Sequence, residues 1–157
     1  VPVFRAPDAL LSEGAVSILG MDGTKMSKSR GNVIELGMTA DETAKIIKKA
    51  VTDSDRHITY DPVNRPEVSN LIMIASLFSK RDVYEIAADL GDAGGGGLKN
   101  LVTEAVNEGL AGHRARRAEL LADPAHLRGL LAEGNARANA VADATLAEVR
   151  TAMQMVY

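Results

Sequence analysis

The hydrophobic and polar pattern of the 157-residue chain changes character at Thr39. Before it, Gly, Pro and turn formers dominate. The apolar run Ala15-Val16-Ser17-Ile18-Leu19 has the length of a single strand, and a loop carrying Gly20, Gly23 and Gly31 follows it. A lone strand leaves its backbone edges unpaired, so 1–38 is expected to need partner strands from outside these 157 residues. From Thr39 the spacing turns helical. Thr39-Ala40-Asp41-Glu42 predicts a capping box, the Thr hydroxyl taking an amide of the first turn while the Glu reaches back. In the helix behind it, Ala44, Ile47 and Val51 share one face, with Ile46 and Ala50 beside it. Lys45, Lys48 and Lys49 occupy the other, and the helix is expected to stop near Thr52-Asp53-Ser54, where Asp53 caps its end.

Asp61-Pro62 and Arg65-Pro66 make 55–66 a loop that holds His57, because a residue before proline avoids helix. Pro66 then suits the first turn of a helix that is apolar almost all round (Leu71, Ile72, Ile74, Ala75, Leu77, Phe78), which marks it as the most buried. Ser79-Lys80-Arg81-Asp82 reads as a second capping box, opening a short helix with Val83, Ile86 and Ala87. The glycine run 91–97 is expected to break the pattern. Two long helices follow, over 98–121 and 124–155, the second announced by Asp123 as cap and Pro124 in the first turn. Its apolar or small face runs through Leu127, Leu131, Gly134, Ala138, Val141 and Thr145, and Met73, Met153 and Met155 are expected in the core. The fold class is therefore mainly α. Residues 39–157 read as an antiparallel helical bundle, and 1–38 as the edge of another domain.

Composition narrows the chemistry. Apolar residues make up 46% and charged residues 25%, as in ordinary globular proteins, but aromatics are only 3%, so the core must be aliphatic. A net charge of -3 excludes a generally basic nucleic-acid coat while leaving local basic patches open. The absence of Cys removes disulfides and thiolate metal sites, and His57, His113 and His126 have no metal-ligand spacing. No apolar run has the roughly 20 residues needed to cross a bilayer. Val1-Pro2-Val3-Phe4-Arg5 has neither a signal-peptide pattern nor an initiator Met, which points to a cytoplasmic protein entered in mid-chain.

The chemistry concentrates in Lys25-Met26-Ser27-Lys28-Ser29. Two ammonium groups three residues apart on a Gly-flanked loop can bracket a polyanion, and the Ser27 and Ser29 hydroxyls add neutral donors. Phosphoryl chemistry needs such a clamp, because charge on a leaving phosphate must be neutralised as it develops. A mobile loop can apply it in the transition state more than in the ground state. On the helices, Lys45, Lys48 and Lys49 form one basic face and His113, Arg114, Arg116 and Arg117 another. Such faces contact RNA phosphates without reading bases, although solvated helix surfaces look the same.

Lys25–Ser29 matches letter for letter the signature loop of class I aminoacyl-tRNA synthetases. The stretches Ala50-Val51-Thr52-Asp53-Ser54, Tyr60-Asp61, Pro66, Ser69-Asn70-Leu71, Gly14-Ala15 and 133–142 are similar to the bacterial tryptophanyl-tRNA synthetases at matching spacings. The chain thus resembles the C-terminal half of that family along essentially its whole length. The resemblance implies that Lys25 and Lys28 bind the ATP triphosphate and stabilise the leaving pyrophosphate during activation of L-tryptophan. It implies that Ser27 and Ser29 add phosphate contacts and that Met26 seats the loop. It further implies that 1–38 ends a Rossmann-like catalytic domain and that 39–157 is an anticodon-binding domain, for which the basic faces offer Arg114, Arg116, Arg117, Lys45 and Lys49 as contacts to tRNA(Trp). ATP accompanied by Mg2+, no metal ligands from this chain and a homodimeric full enzyme are likewise implied. Asn32 matches a further family position without an assigned role. Two departures stand out: Arg30-Gly31 where many tryptophanyl enzymes have Asp-Pro, and the run of four glycines. The second class I signature, His-x-Gly-His, does not occur, and by resemblance it belongs with the tryptophan pocket to a first half. On this reading the chain by itself forms no tryptophanyl-adenylate. A tyrosyl-type synthetase and a non-catalytic tRNA-binding or regulatory paralogue are the alternative readings.

Overall fold

A computed structural model of the chain describes residues 3–10 and 18–155. They contain five α-helices: α1 (Ala40–Lys48), α2 (Pro66–Ser79), α3 (Val83–Leu90), α4 (Gly94–Ala122) and α5 (Pro124–Ala152). Two compact units result, one of Leu11–Ala115 and one of Val1–Leu10 with Arg116–Tyr157. Among the described residues no strand forms. Leu19 makes an isolated antiparallel bridge to Lys25, while 15–17 of the expected strand lie outside the described residues.

The unit Leu11–Ala115 carries the core. The capping box at α1 is complete: the Glu42 amide donates to Thr39 Oγ1 at 3.2 Å and the Thr39 amide donates to Glu42 Oε2 at 2.8 Å. α1 stops at Lys48, earlier than its apolar spacing suggests, because the Val51 amide leaves the helical ladder for the Met21 carbonyl at 2.8 Å. Thr43, Ile47 and Ala50 therefore face inward and Val51 stays half exposed. In α2, Val68, Leu71, Ile72 and Ala75 are enclosed, as the all-round apolar pattern requires. Leu77 and Phe78 at its end are exposed instead. Enclosing each such aliphatic side chain is worth roughly 1.5–3 kcal/mol.

Two expected boundaries move. Ser79 does not cap α3: it is the last residue of α2, and its hydroxyl donates to the Ala75 carbonyl at 2.7 Å. Lys80 turns left-handed (φ 58°) to end α2, and Asp82 caps α3 by accepting from the Tyr84 and Glu85 amides. The expected break falls at 91–93, between α3 and α4, but it is shorter than the glycine run: α4 begins at Gly94 and takes in the four glycines. Gly94 takes a positive φ of 69° at the start of α4, and space explains Gly95 and Gly97. A Cβ at Gly95 would sit 2.7 Å from Thr52 Oγ1, and one at Gly97 2.6 Å from Ala93 Cβ. Close approach here outweighs a helix-propensity loss of about 1 kcal/mol per glycine. Beyond it, Leu98, Val102, Val106 and Leu110 put one stripe of α4 into the core.

The loop between α1 and α2 is closed by an ion pair. Arg65, only 12% exposed in its side chain, donates through Nε and Nη2 to the two carboxylate oxygens of Asp53 at 2.7 and 2.8 Å. Its Nη1 donates to the His57 carbonyl at 2.6 Å and to Thr59 Oγ1 at 2.8 Å. Asp53 is thus the acceptor of a two-point clasp rather than a helix cap. His57 lies 2.7 Å through Nδ1 from Asp92 Oδ1, and the Ile58 amide donates to the Gly91 carbonyl, fastening the loop to the α3–α4 junction.

In the other unit, α5 starts as expected, with Asp123 accepting from the His126 amide at 3.0 Å and Pro124 in its first turn. It buries none of its described residues. Leu131 and Val141, from the face read as packing, are 66% and 68% exposed, and Met153 and Met155, expected in the core, lie at 62% and 43%.

The clasp has a pH signature. The Arg65 hydrogen bonds hold the Asp53 carboxyl below its ordinary value of 3.8. Its contribution is therefore fully present above that value and lost as pH falls through the lowered one. Arg65→Met is expected to cost about 1–2 kcal/mol at neutral pH, mostly from groups left unpaired. It should also remove part of the acid decline in thermal unfolding temperature. Equal unfolding temperatures for the variant and the parent from neutral pH to pH 3 would contradict this role.

Candidate active site

The signature loop is folded around one side chain. Asn32, 5% exposed, accepts the Ser27 amide on Oδ1 at 2.8 Å. Its Nδ2 donates to Asp22 Oδ1 at 2.8 Å, with the Lys25 carbonyl at 3.2 Å and Thr24 Oγ1 at 3.3 Å also in reach. Its main-chain carbonyl takes the Met21 amide at 2.8 Å. Gly20 leaves room for this amide, since a Cβ there would lie 2.3 Å from Asn32 Nδ2. Asp22 also accepts from the Thr24 amide and hydroxyl at 3.0 and 2.9 Å. These bonds, that from Asn32 foremost, hold its carboxyl below the ordinary range, so Asp22 is a satisfied anion inside the loop.

With the backbone secured inward, the charged groups point out. Lys28–Arg30 form a single 3₁₀ turn ended by Gly31 in the left-handed region (φ 65°). Lys25, Lys28, Ser29 and Arg30 are exposed, and Met26 is half exposed. The Ser27 and Ser29 hydroxyls pair with each other at 2.8 Å. Lys28 Nζ meets Glu35 Oε2 at 3.2 Å, while Lys25 makes no ion pair among the described residues. The Lys28 side chain is 80% exposed. Such a surface pair is worth roughly 0–1 kcal/mol, so a polyphosphate can displace it.

Buried polar groups tie this loop to the helices. Asn70 on α2 accepts the Leu19 amide at 2.8 Å and donates to the Leu19 carbonyl at 3.1 Å, serving Leu19 as a neighbouring strand would. Arg114 on α4 donates from Nε to the Met38 carbonyl at 3.0 Å. Its Nη1 reaches Asn107 Oδ1 at 2.9 Å and its Nη2 the buried Thr43 hydroxyl at 2.9 Å. Arg114 is thereby engaged in holding the start of α1. Of its expected companions, Arg116 pairs with Glu119 at 2.8 Å, and His113 and Arg117 are exposed. Lys45, Lys48 and Lys49 are exposed at α1. Sequence reasoning missed the parts played by Asn32, Asn70, Arg65 and Glu35. For Asn70 a signal was present, a polar residue inside an otherwise apolar helix.

The sequence profile described as tRNA synthetases class I (W and Y) matches residues 3–111. The chain belongs to this family of class I aminoacyl-tRNA synthetases. Within it, the chain is 35% identical over 156 residues to the tryptophan–tRNA ligase of Thermosynechococcus vestitus, covering 96% of this chain and 47% of that protein. It is 37% identical over 155 residues to that of Leifsonia xyli, covering 96% and 46%. Among solved structures, the tryptophanyl-tRNA synthetase of Campylobacter jejuni complexed with ADP and tryptophan superposes with a TM-score of 0.71 at 30% identity. That match covers 97% of this chain and 48% of the other. The Mycoplasma pneumoniae enzyme gives 0.71 at 25% identity, covering 96% and 47%. The chain spans about half the length of the curated relatives it matches. The resemblance read from Lys25–Ser29 and the downstream stretches is borne out.

Because the buried Asn32 side chain holds several groups of the loop at once, its truncation is expected to open the loop locally. Hydrogen exchange at the Ser27 amide should accelerate roughly tenfold or more in Asn32→Ala, the equivalent of the ~1–3 kcal/mol cost of unmet buried groups. Lys28→Ala should leave that amide unchanged. Equal Ser27 protection in Asn32→Ala and the parent would refute the hub.

Proposed function

We propose that the chain supplies the phosphate clamp and tRNA-binding helices of a tryptophan–tRNA ligase, which activates L-tryptophan with ATP and transfers it to tRNA(Trp). The observation that carries the reading is the outward presentation of Lys25 and Lys28 on a loop whose backbone is fixed inward by Asn32. In activation the tryptophan carboxylate attacks the α-phosphorus of ATP, the bond to the bridging oxygen breaks, and pyrophosphate leaves carrying new negative charge. Lys25 and Lys28 neutralise that charge, and the Ser27 and Ser29 hydroxyls exchange their mutual bond for phosphate oxygens. Glu35 holds Lys28 until the triphosphate competes for it.

Magnesium would enter with ATP and would help neutralise the charge of the leaving pyrophosphate. The described residues contain no group of three His, Asp or Glu side chains that could hold a metal ion themselves. By length, the curated relatives carry a further half, and the tryptophan pocket is assigned there together with the His-x-Gly-His signature. Residues 1–38 end the catalytic domain and 39–157 form the tRNA-binding part. Lys45, Lys49, Arg116 and Arg117 contact tRNA phosphates from exposed helix surface, while Arg114 acts by positioning the start of α1. The assembled enzyme is a homodimer in the cytoplasm. No described helix is long and apolar enough to cross a membrane.

Tryptophan-dependent exchange of pyrophosphate into ATP tests this in the assembled ligase. Lys25→Ala and Lys28→Ala should each lower kcat/KM for ATP by about 10²–10³-fold, the usual cost of removing one transition-state charge contact. Glu35→Gln should lower the KM for ATP about two- to threefold, since it removes a competitor worth under ~1 kcal/mol. This chain alone should support no exchange. Exchange driven by tyrosine instead of tryptophan, or full activity without either lysine, would overturn the reading.

A further inference from the structure

Beside the clamp lies a cavity of about 220 Å³ that Lys25 and Lys28 do not line. Arg30, from the 3₁₀ turn, and Lys49, just past the end of α1, both border it, together with Asp22, Asn32, Ile46 and Val51. Arg30 uses one N–H on Thr24 Oγ1, at 3.0 Å, which orients the guanidinium and leaves its other donors available. Lys49 makes no ion pair among the described residues. Asp22 is the one anion of the lining, and its hydrogen bonds to Asn32 and Thr24 are internal to the loop. Two cations and one anion leave the cavity a single positive charge. One phosphodiester, with one negative charge, matches it; a nucleotide triphosphate, with about four, does not. The half-exposed Val51 and the partly buried Ile46 supply an apolar wall against which a ribose or base can lie.

The geometry points to a phosphodiester site for bound tRNA, formed by Arg30 and Lys49 and separate from the ATP clamp. This rests on the tRNA-ligase reading above. It links the two substrates spatially, because Arg30 belongs to the same turn as Lys28: RNA seated here braces the turn from which Lys28 reaches the triphosphate.

Fluorescence anisotropy of an end-labelled tRNA(Trp) transcript, titrated with the chain over a series of KCl concentrations, tests the site. ATP binding to the same proteins is measured by calorimetry. Arg30→Ala, Lys49→Ala and the double variant should each weaken tRNA binding about three- to tenfold. Because both cations serve one phosphate, each should make the dependence of log affinity on log salt shallower by the same amount, about 0.7–0.9. ATP affinity and thermal unfolding should stay as in the parent. An unchanged salt slope would overturn the site, as would a double variant that loses twice the slope of either single one. A parallel loss of ATP affinity would return both residues to the nucleotide. Absence of any tRNA binding by the parent chain would instead sink the assignment of the tRNA-binding helices to this chain, on which the site rests, a failure seen before any variant is made.

Discussion

The side-chain amide of Asn32 is the constraint on which the site depends. A loop that must present two ammonium groups to a polyphosphate cannot use those groups to hold itself together, and like charges on a short turn oppose its compaction. Asn32 resolves this from inside. One carboxamide gathers the Ser27 amide, the Asp22 carboxylate and the Lys25 carbonyl, and its main chain adds the Met21 amide. The Asp22 carboxylate is occupied by neutral donors of the loop and makes no ion pair with the lysines outside. The clamp is therefore shaped before any ligand arrives, and less ordering entropy is lost when one binds.

The helices then fix where this loop stands. Asn70 serves Leu19 as a neighbouring strand would, Val51 closes onto Met21, and Arg114 reaches from α4 to Met38 and Thr43 at the start of α1. Each contact joins a segment flanking the loop to an element whose apolar face lies in the aliphatic core of α1–α4. The clasp of Arg65 on Asp53 does the same for the return from α1 to α2. The loop is thereby supported from α2 and from the segment just after α1, and α4 fixes the start of α1, although only the loop's outward side chains meet a ligand.

What the sequence disclosed follows from the range of each interaction. Local signals were readable: the Thr39–Glu42 box, Pro66 and Pro124 in first turns, Asp123 as a cap, and the apolar stripe of α2. The signature loop was readable as well, because its lysines must be adjacent to act together. Long-range contacts left little trace. Arg114 has the same local surroundings whether it faces RNA or Met38, and Asp53 follows Thr52 identically as a cap or as the partner of Arg65. The glycine run misled for a related reason. Gly91 and Gly94 take positive φ at the break, but Gly95 and Gly97 answer to the closeness of Thr52 and Ala93, and spacing alone does not contain that closeness. Ser79 failed as a cap because its hydroxyl was already used within α2.

The most direct test of this account compares triphosphate binding by the parent chain and by Asn32→Ala, followed by the backbone amide resonances of 25–29 and the Lys Nζ resonances. If Asn32 shapes the clamp, inorganic triphosphate should shift the Lys25 and Lys28 signals together in the parent. In Asn32→Ala the affinity should fall at least about fivefold, the equivalent of ~1 kcal/mol of lost preorganisation, with both lysines still present. Equal affinity and the same shifts in both proteins would contradict it, showing that the lysines alone make the site.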